Sequence, residues 1–326
     1  MGKLVISPTK FESISADSIE TLINQEVPPG VSMIHAPEIW KQGGYGKGIV
    51  IAVLDSGCDV NHPDLQGQIV GGRNFTDTGS RDEYFDDHGH GTHVAGTIAA
   101  KRNEKGVVGV APEAKLLILR VLKKDPDNPD YTKGNTDWSV AAIDYAISWR
   151  GPNQERVRII NMSIEGREGD DAYHEAMKKA VKNDILVVAC AGNFGDKKEG
   201  GDCSAEQDEL SYPAIYPEVI SVGAIALDKT FPCFTDTNSQ IDLVAPGKGI
   251  YSTLPMSNGG YGISDGTSMA APHVTGALAL LINKCEKEFD RPLTENEIYA
   301  QLIKRTVSLG KNKKLEGNGL IDLTID

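Results

Sequence analysis

The chain has 326 residues, 40% of them hydrophobic, which is enough for a sizeable core in one large or two modest domains. Its 46 acidic and 33 basic residues leave a net charge of −13. That balance repels nucleic acid and anionic membrane and favours cations such as Ca2+. No run approaches the roughly 20 apolar residues of a membrane helix, so no membrane partner is expected.

From the N-terminus, Leu4-Val-Ile-Ser-Pro8 is an apolar stretch able to pair as a strand, and its proline fixes φ and lacks an N–H. The opening ten residues are too short for a secretory signal and carry no small-residue cleavage site. Strand-like runs follow at 49–54, 116–122, 157–163, 185–191, 219–224 and 241–245. They alternate with helical patterns at 137–149, 170–183, 267–286 and 294–306. Such alternation predicts an α/β fold with a mostly parallel sheet and helices on both faces. Neither an internal repeat nor a low-complexity linker divides it, so a single domain is expected. Segment 123–137, with Pro126 and Pro129, reads as an extended loop over a cleft. The tail, residues 317–326, reads as an edge strand that pairs with a partner or packs on its own subunit. Five cysteines without Cys-x-x-Cys spacing suggest no disulfide framework, so free thiols and a cytoplasmic location are expected. Cys58 and Cys190 fall three residues from Asp55 and Asn193, which predicts either sensitivity to thiol reagents and heavy metals or, the commoner case, small buried cysteines.

Three junctions carry the chemistry. The apolar run Ile49-Val-Ile-Ala-Val-Leu-Asp55 reads as a buried parallel strand that delivers a carboxylate to the sheet edge. Asp87-His-Gly-His-Gly-Thr-His-Val-Ala-Gly96 is a histidine-rich turn entering a small-residue helix. Gly266-Thr-Ser-Met-Ala-Ala-Pro-His273 sets Ser268 at a helix mouth, where backbone N–H groups and the helix dipole favour an oxyanion. The bland alternative for Ser268 is an N-cap. A serine hydroxyl needs a base, and the base needs a group that fixes its tautomer. Aspartate, histidine and serine supply that set.

Asp55-Ser-Gly57, His90-Gly-Thr-His93 and Gly266-Thr-Ser-Met-Ala-Ala-Pro272 resemble the three signature segments of the subtilisin-like serine proteases, in that family's chain order. Cys190-Ala-Gly-Asn193 resembles its oxyanion segment. The resemblance spans residues 25–310 and implies a three-layer, single-domain fold and a serine endopeptidase. It makes Asp55, His90 and Ser268 the triad and Asn193 the oxyanion donor, with His93 left to packing. It places Ser163, Ile164, Glu165, Cys190, Ala191, Gly192 and Gly134 along the substrate. Where the family carries two glycines this chain has Glu165-Gly166; the glutamate narrows the pocket, favours basic substrate side chains, or is a rim residue without effect. A family calcium site would draw on Gln25, Asp64, Lys101, Asn103, Lys105 and Val107; the alternative is an ordinary turn closed by Asn103 and Gly106.

Among such proteases the acidic composition and short N-terminal extension are similar to an intracellular subtilisin. That subgroup implies an inhibitory N-terminal peptide here within residues 1–24, a catalytic domain over 25–310, a tail over 311–326, intracellular protein turnover and a homodimer. Two other classes compete. His88, His90 and His93 have the spacing of a zinc hydrolase motif lacking its aspartate. A silent peptide-binding scaffold is the third reading, at odds with an intact Asp55, His90, Asn193 and Ser268.

Overall fold

The computed structural model describes residues 2–6, 11–13, 26–42, 44–128 and 130–325. Its central sheet has nine strands among the described residues: β1 Val50–Asp55, β2 Ile69–Asn74, β3 Lys115–Arg120, β4 Val157–Met162, β5 Leu186–Cys190, β6 Ile220–Ala226, β7 Leu243–Lys248, β8 Thr306–Val307 and β9 Leu320–Ile321. The spatial order is β8-β9-β7-β6-β5-β4-β1-β3-β2. Every pairing is parallel except β8 with β9. β1, β5 and β6 are buried at every residue, which is why each reads as a continuous apolar run.

Helices cover both faces: α1 His90–Ala99, α2 Thr136–Ser148, α3 Asp171–Lys182, α4 Thr267–Phe289 and α5 Glu295–Lys304. Alternate residues of β1 feed two separate cores. Ile51 and Val53 join Val94 of α1 and Ala277 and Leu281 of α4. Ala52 and Leu54 join Ala142 and Ile143 of α2 and Met177 of α3. Local chemistry sets the helix starts: Asn135 and Asp170 accept the Trp138 and Tyr173 N–H groups, and Thr294 with Glu297 forms a capping box.

The chain builds outward from β1 in one direction to β3 and β2, and in the other from β4 to β7. That reversal makes the carboxyl ends of β1 and β4 a switch point, where open α/β sheets bind ligands. Asp55 ends β1, Ser163 follows β4 and Asn193 follows β5.

Several expectations change. Segment 123–137 is no open loop: Leu122–Lys124 and Thr132–Asn135 form an antiparallel hairpin that runs straight into α2, and Pro129 lies outside the described residues. Within the tail the second of the two readings holds: Leu320–Ile321 packs on its own subunit, between β7 on one side and β8 on the other. Free thiols hold for Cys58, Cys190 and Cys285, whereas Cys203 and Cys233 form a disulfide across a separation of 30 residues. Gly195 N–H donates to the Phe234 carbonyl and Cys203 N–H to the Gly195 carbonyl, which lays the two loops side by side.

Candidate active site

Asp55 and His90 are both sealed from solvent, with 1% and 0% exposure. Gly89, at φ 113°, turns the chain so that His90 opens α1 facing the end of β1. His90 Nδ1 donates to Asp55 Oδ1 at 2.8 Å, and the same oxygen accepts the Ser56 N–H at 2.7 Å. A carboxylate accepts only, so the bond leaves Nε2 as the basic nitrogen, buried and without a hydrogen-bond partner among the described residues.

Ser268 is not an N-cap. Gly266, at φ 147°, holds that position without a side-chain bond, and Ser268 lies inside the first turn of α4. Four residues on, Pro272 has no N–H for the Ser268 carbonyl. The orphan oxygen is taken by Ser163 Oγ at 2.9 Å, which itself accepts from Asn161 Nδ2 at 3.0 Å. The Ser268 hydroxyl donates to the Ser163 carbonyl at 3.2 Å. Asn193 is oriented by Thr267, whose N–H and hydroxyl donate to its Oδ1 at 2.9 and 3.1 Å. That fixes Nδ2 as the presented group, and it donates to Glu165 Oε2 at 3.1 Å, while Asn193 N–H donates to the same oxygen at 2.8 Å.

Asp86, which the sequence reading passed over, anchors the histidine turn. It accepts from Ser56 Oγ, His88 N–H, Gly89 N–H, Thr92 N–H and Thr92 Oγ1 at 2.7–3.0 Å. Burial alone would raise its carboxyl, yet the hydrogen bonds from Gly89 and Thr92 outweigh it and hold the group low. The signal available was an aspartate four residues ahead of His90, at the entry to a helix.

The zinc reading fails on geometry. His90 is turned to Asp55, His93 Nε2 to the Ile250 carbonyl at 3.0 Å and His88 Nε2 to the Asp130 carbonyl at 3.5 Å, three directions that share no centre. Among the described residues, no set of three such ligands gathers anywhere. Nor are Cys58 and Cys190 accessible thiols; burial pushes both well above the ordinary range, which keeps them protonated and inert.

Residues 2–6 pair with two of the residues that the resemblance sets along the substrate. Val5 and Glu165 exchange both backbone hydrogen bonds, at 2.8 and 3.0 Å, and Leu4 pairs with Gly134. Leu4 and Ile6 are 0% and 2% exposed. Further on, Glu12–Ser13 pairs with Gly262 and Ile263, and the Phe11 ring sits 6.0 Å from those of His88 and His93. Ser7 and Pro8 lie outside the described residues. Ile164, Cys190, Ala191 and Gly192 are buried, with Cys190 Sγ 3.5 Å from the Ile164 carbonyl.

Of the metal candidates, Gln25 lies outside the described residues. Asp64 is buried and gathers the 101–107 loop: its carboxylate accepts from Asn103 Nδ2 at 2.9 Å, Val107 N–H at 2.9 Å and Tyr261 OH at 3.0 Å, and its carbonyl from Lys101 N–H at 2.8 Å. Lys105 N–H closes a turn onto Asn103 Oδ1 at 3.2 Å.

The profile described as Subtilase family matches residues 46–320. An intracellular serine protease of Paenibacillus polymyxa is 54% identical over 301 residues, 92% of this chain and 86% of its own. The major intracellular serine protease of Bacillus subtilis is 49% identical over 92% of this chain and 88% of its own. Subtilisin E of the same organism is 38% identical over 95% and 74%. With this breadth of match, and a parallel sheet presenting aspartate, histidine and serine from three elements, the chain belongs to the subtilase family and is a subtilisin-like serine endopeptidase.

Proposed function

We propose an intracellular endopeptidase in which Ser268 is the nucleophile, His90 the general base, Asp55 the group that orients it and Asn193 the oxyanion donor. The observation that carries the reading is the buried Asp55–His90 pair, whose basic Nε2 is left without a partner among the described residues. The Ser268 hydroxyl turns from the Ser163 carbonyl to that nitrogen, attacks the peptide carbonyl and yields its proton, which His90 then passes to the leaving amine. Asp55 stabilises the imidazolium, and Asn193 Nδ2 with the Ser268 N–H receives the oxyanion. The names of the two most similar relatives reported above support an intracellular setting.

The N-terminal segment is the built-in inhibitor. Residues 2–6 take both backbone edges that a substrate strand would use, and residues 11–13 continue past His88. Intact mass over time, with a fluorophosphonate probe and a Ser268→Ala control, tests both parts. One adduct on the wild type alone, preceded by loss of the first ~20 residues, is expected. No adduct on either form of the chain overturns the triad; labelling of the uncut chain at full rate overturns the inhibitor.

Calcium is a structural support in this reading. Its ligands would be drawn from Asp64, Asn103 and the carbonyls of Lys101, Lys105 and Val107, oxygens of the kind Ca2+ takes, and the ion would cross-link the loop to the 62–64 turn. Chelation should lower the melting temperature, and Asp64→Asn should abolish that response. Association as a homodimer would use the outer edge of the sheet, where Val307 of β8 is 42% exposed. Sedimentation as a 35.0 kDa species at all concentrations would remove it.

A further inference from the structure

Ser163 holds the nucleophile from both ends. Its carbonyl accepts the Ser268 hydroxyl at 3.2 Å, and its own hydroxyl donates to the Ser268 carbonyl at 2.9 Å. The second bond replaces one that the helix cannot make. In a regular helix the Ser268 carbonyl would accept an N–H from position 272, and Pro272 has none. A hydroxyl carries a single proton, so this support lasts only while nothing else takes the Ser163 proton.

The competitor for that proton is Asn161, two residues back on β4. Its Nδ2 lies 3.0 Å from Ser163 Oγ, and its Oδ1 lies 2.7 Å from Thr275 Oγ1. Asn161, Ser163 and Thr275 are each 0% exposed, out of reach of bulk solvent. A side-chain amide fits such a slot in either of two orientations, and its partners decide which one it takes. With Nδ2 toward Ser163 the amide donates, and the Ser163 proton goes to the Ser268 carbonyl. With Oδ1 toward Ser163 the amide accepts that proton, and the Ser268 carbonyl is left bare. The Thr275 hydroxyl decides between them, because it donates to Oδ1 and so turns Nδ2 to Ser163. Thr275 lies two turns beyond Ser268 on α4, so the relay leaves α4, crosses to β4 and returns to α4 at the nucleophile.

We propose that Thr275 and Asn161 are positioning residues for the nucleophile. Their hydrogen bonds commit the one Ser163 proton to the Ser268 carbonyl and fix the first turn of α4, which carries both the Ser268 hydroxyl and the Ser268 N–H. The inference rests on the proposed role of Ser268 and adds to it the residues that aim it. A buried carbonyl stripped of its donor draws the turn toward another one. Ser268 Oγ then leaves the line to His90 Nε2, and the Ser268 N–H leaves the oxyanion. A displacement of about 1 Å costs on the order of 100-fold in rate. No bond of the relay involves Gly134 or Glu165, the strand partners of Leu4 and Val5, so the loss falls on kcat and not on KM.

The test is kcat and KM of the full-length chain incubated until its mass and rate are constant. Active sites are counted by fluorophosphonate adduct, so that each rate is per labelled molecule. Thr275→Val keeps the shape and removes the donor; kcat should fall about 10-fold or more, with KM within about twofold. Thr275→Ser keeps the donor and should recover most of that loss. Ser163→Ala strips the Ser268 carbonyl directly and should lower kcat at least as far, and adding Thr275→Val to it should cost nothing more. A merely structural Thr275 would lower the labelled fraction and leave kcat per labelled site alone. Wild-type kcat per site in Thr275→Val overturns the proposal, and so does a Thr275→Ser as slow as Thr275→Val. Should Thr275→Val not fold, Asn161→Asp reads the same quantity, since a carboxylate accepts only and captures the Ser163 proton; an unchanged kcat there overturns the relay. A wild type that neither cuts nor labels overturns the nucleophile itself, whereas variants that match a working wild type overturn the relay alone.

Discussion

His93 and His273 are enclosed without solvent contact, and burial holds them down at about 3 and about 4, the charge of His90 adding to the effect on His93. An unfolded histidine titrates near 6.5, so between pH 6.5 and about 4 the unfolded chain binds protons that the folded one refuses. Stability present above pH 6.5 is therefore lost as the pH falls. His273→Gln removes one such group. Between pH 7 and pH 5 wild type should lose about 2 kcal/mol more unfolding free energy than the variant, measured by urea titration at both pH values. Asp236, whose carboxyl is pushed well above the usual range first by burial, acts in the opposite direction but is common to both proteins and cancels. Equal losses would show that His273 is not kept neutral by the fold. At the site itself, Asn193→Ala should lower kcat by about 10²–10³ with little change in KM, a magnitude carried over from subtilisin. Residues of this kind differ in how far they could be read ahead. Asp55, His90 and Ser268 stand in runs whose neighbours announce a junction. Asp86 and Thr267 stand beside those runs too, but what they do is decided by hydrogen-bond partners that only the folded turns bring to them. For Glu165 the sequence displays a glutamate where the family has glycine, but only the fold puts it against Asn193.

Among elements, the buried parallel strands were legible and the edges were not. β1, β5 and β6 announce themselves because both faces are covered. β2, Ile69-Val-Gly-Gly-Arg-Asn74, is half-exposed at the sheet edge and carries two glycines, so no apolar run marks it. The two-residue strands Lys3–Leu4 and Glu12–Ser13 exist only through partners more than a hundred residues away, a distance that local pattern cannot bridge. The Cys203–Cys233 bond was hidden for the same reason, since nothing in either loop's sequence points to the other. It closes a loop of 30 residues that contains Asp236's partner Ser211 and begins just after Asn193. Loop-closure entropy alone assigns it about 3–4 kcal/mol. Urea unfolding with and without a dithiol reductant should differ by that amount, and Cys203→Ser should show no difference. Identical curves for wild type in the two conditions would mean that the bond adds nothing to the folded state.

At the scale of the whole molecule, the N-terminal residues add a third strand to each of two small sheets separate from the large one. Leu4 pairs against the Thr132–Asn135 strand, and Glu12 against Tyr261–Ser264. Neither small sheet needs that third strand to connect to the core: Thr132–Asn135 leads into α2, and Ile250–Thr253 bonds to α1 through Ser252 and Thr253. The catalytic body should therefore survive removal of the segment, and the segment should bind back as a ligand. A synthetic peptide of residues 1–13 added to the processed enzyme is expected to inhibit competitively with respect to a peptide substrate. Its affinity should come largely from Leu4 and Ile6, both sealed from solvent. Leu4→Ala in the peptide should raise the inhibition constant on the order of 30-fold, about 2 kcal/mol, the low end for truncating a fully buried leucine. The value for Lys3→Ala should stay within about threefold, because that side chain is exposed and its strand contacts are backbone. Noncompetitive inhibition, or equal effects at positions 3 and 4, would mean that the segment covers the enzyme elsewhere than in the substrate channel.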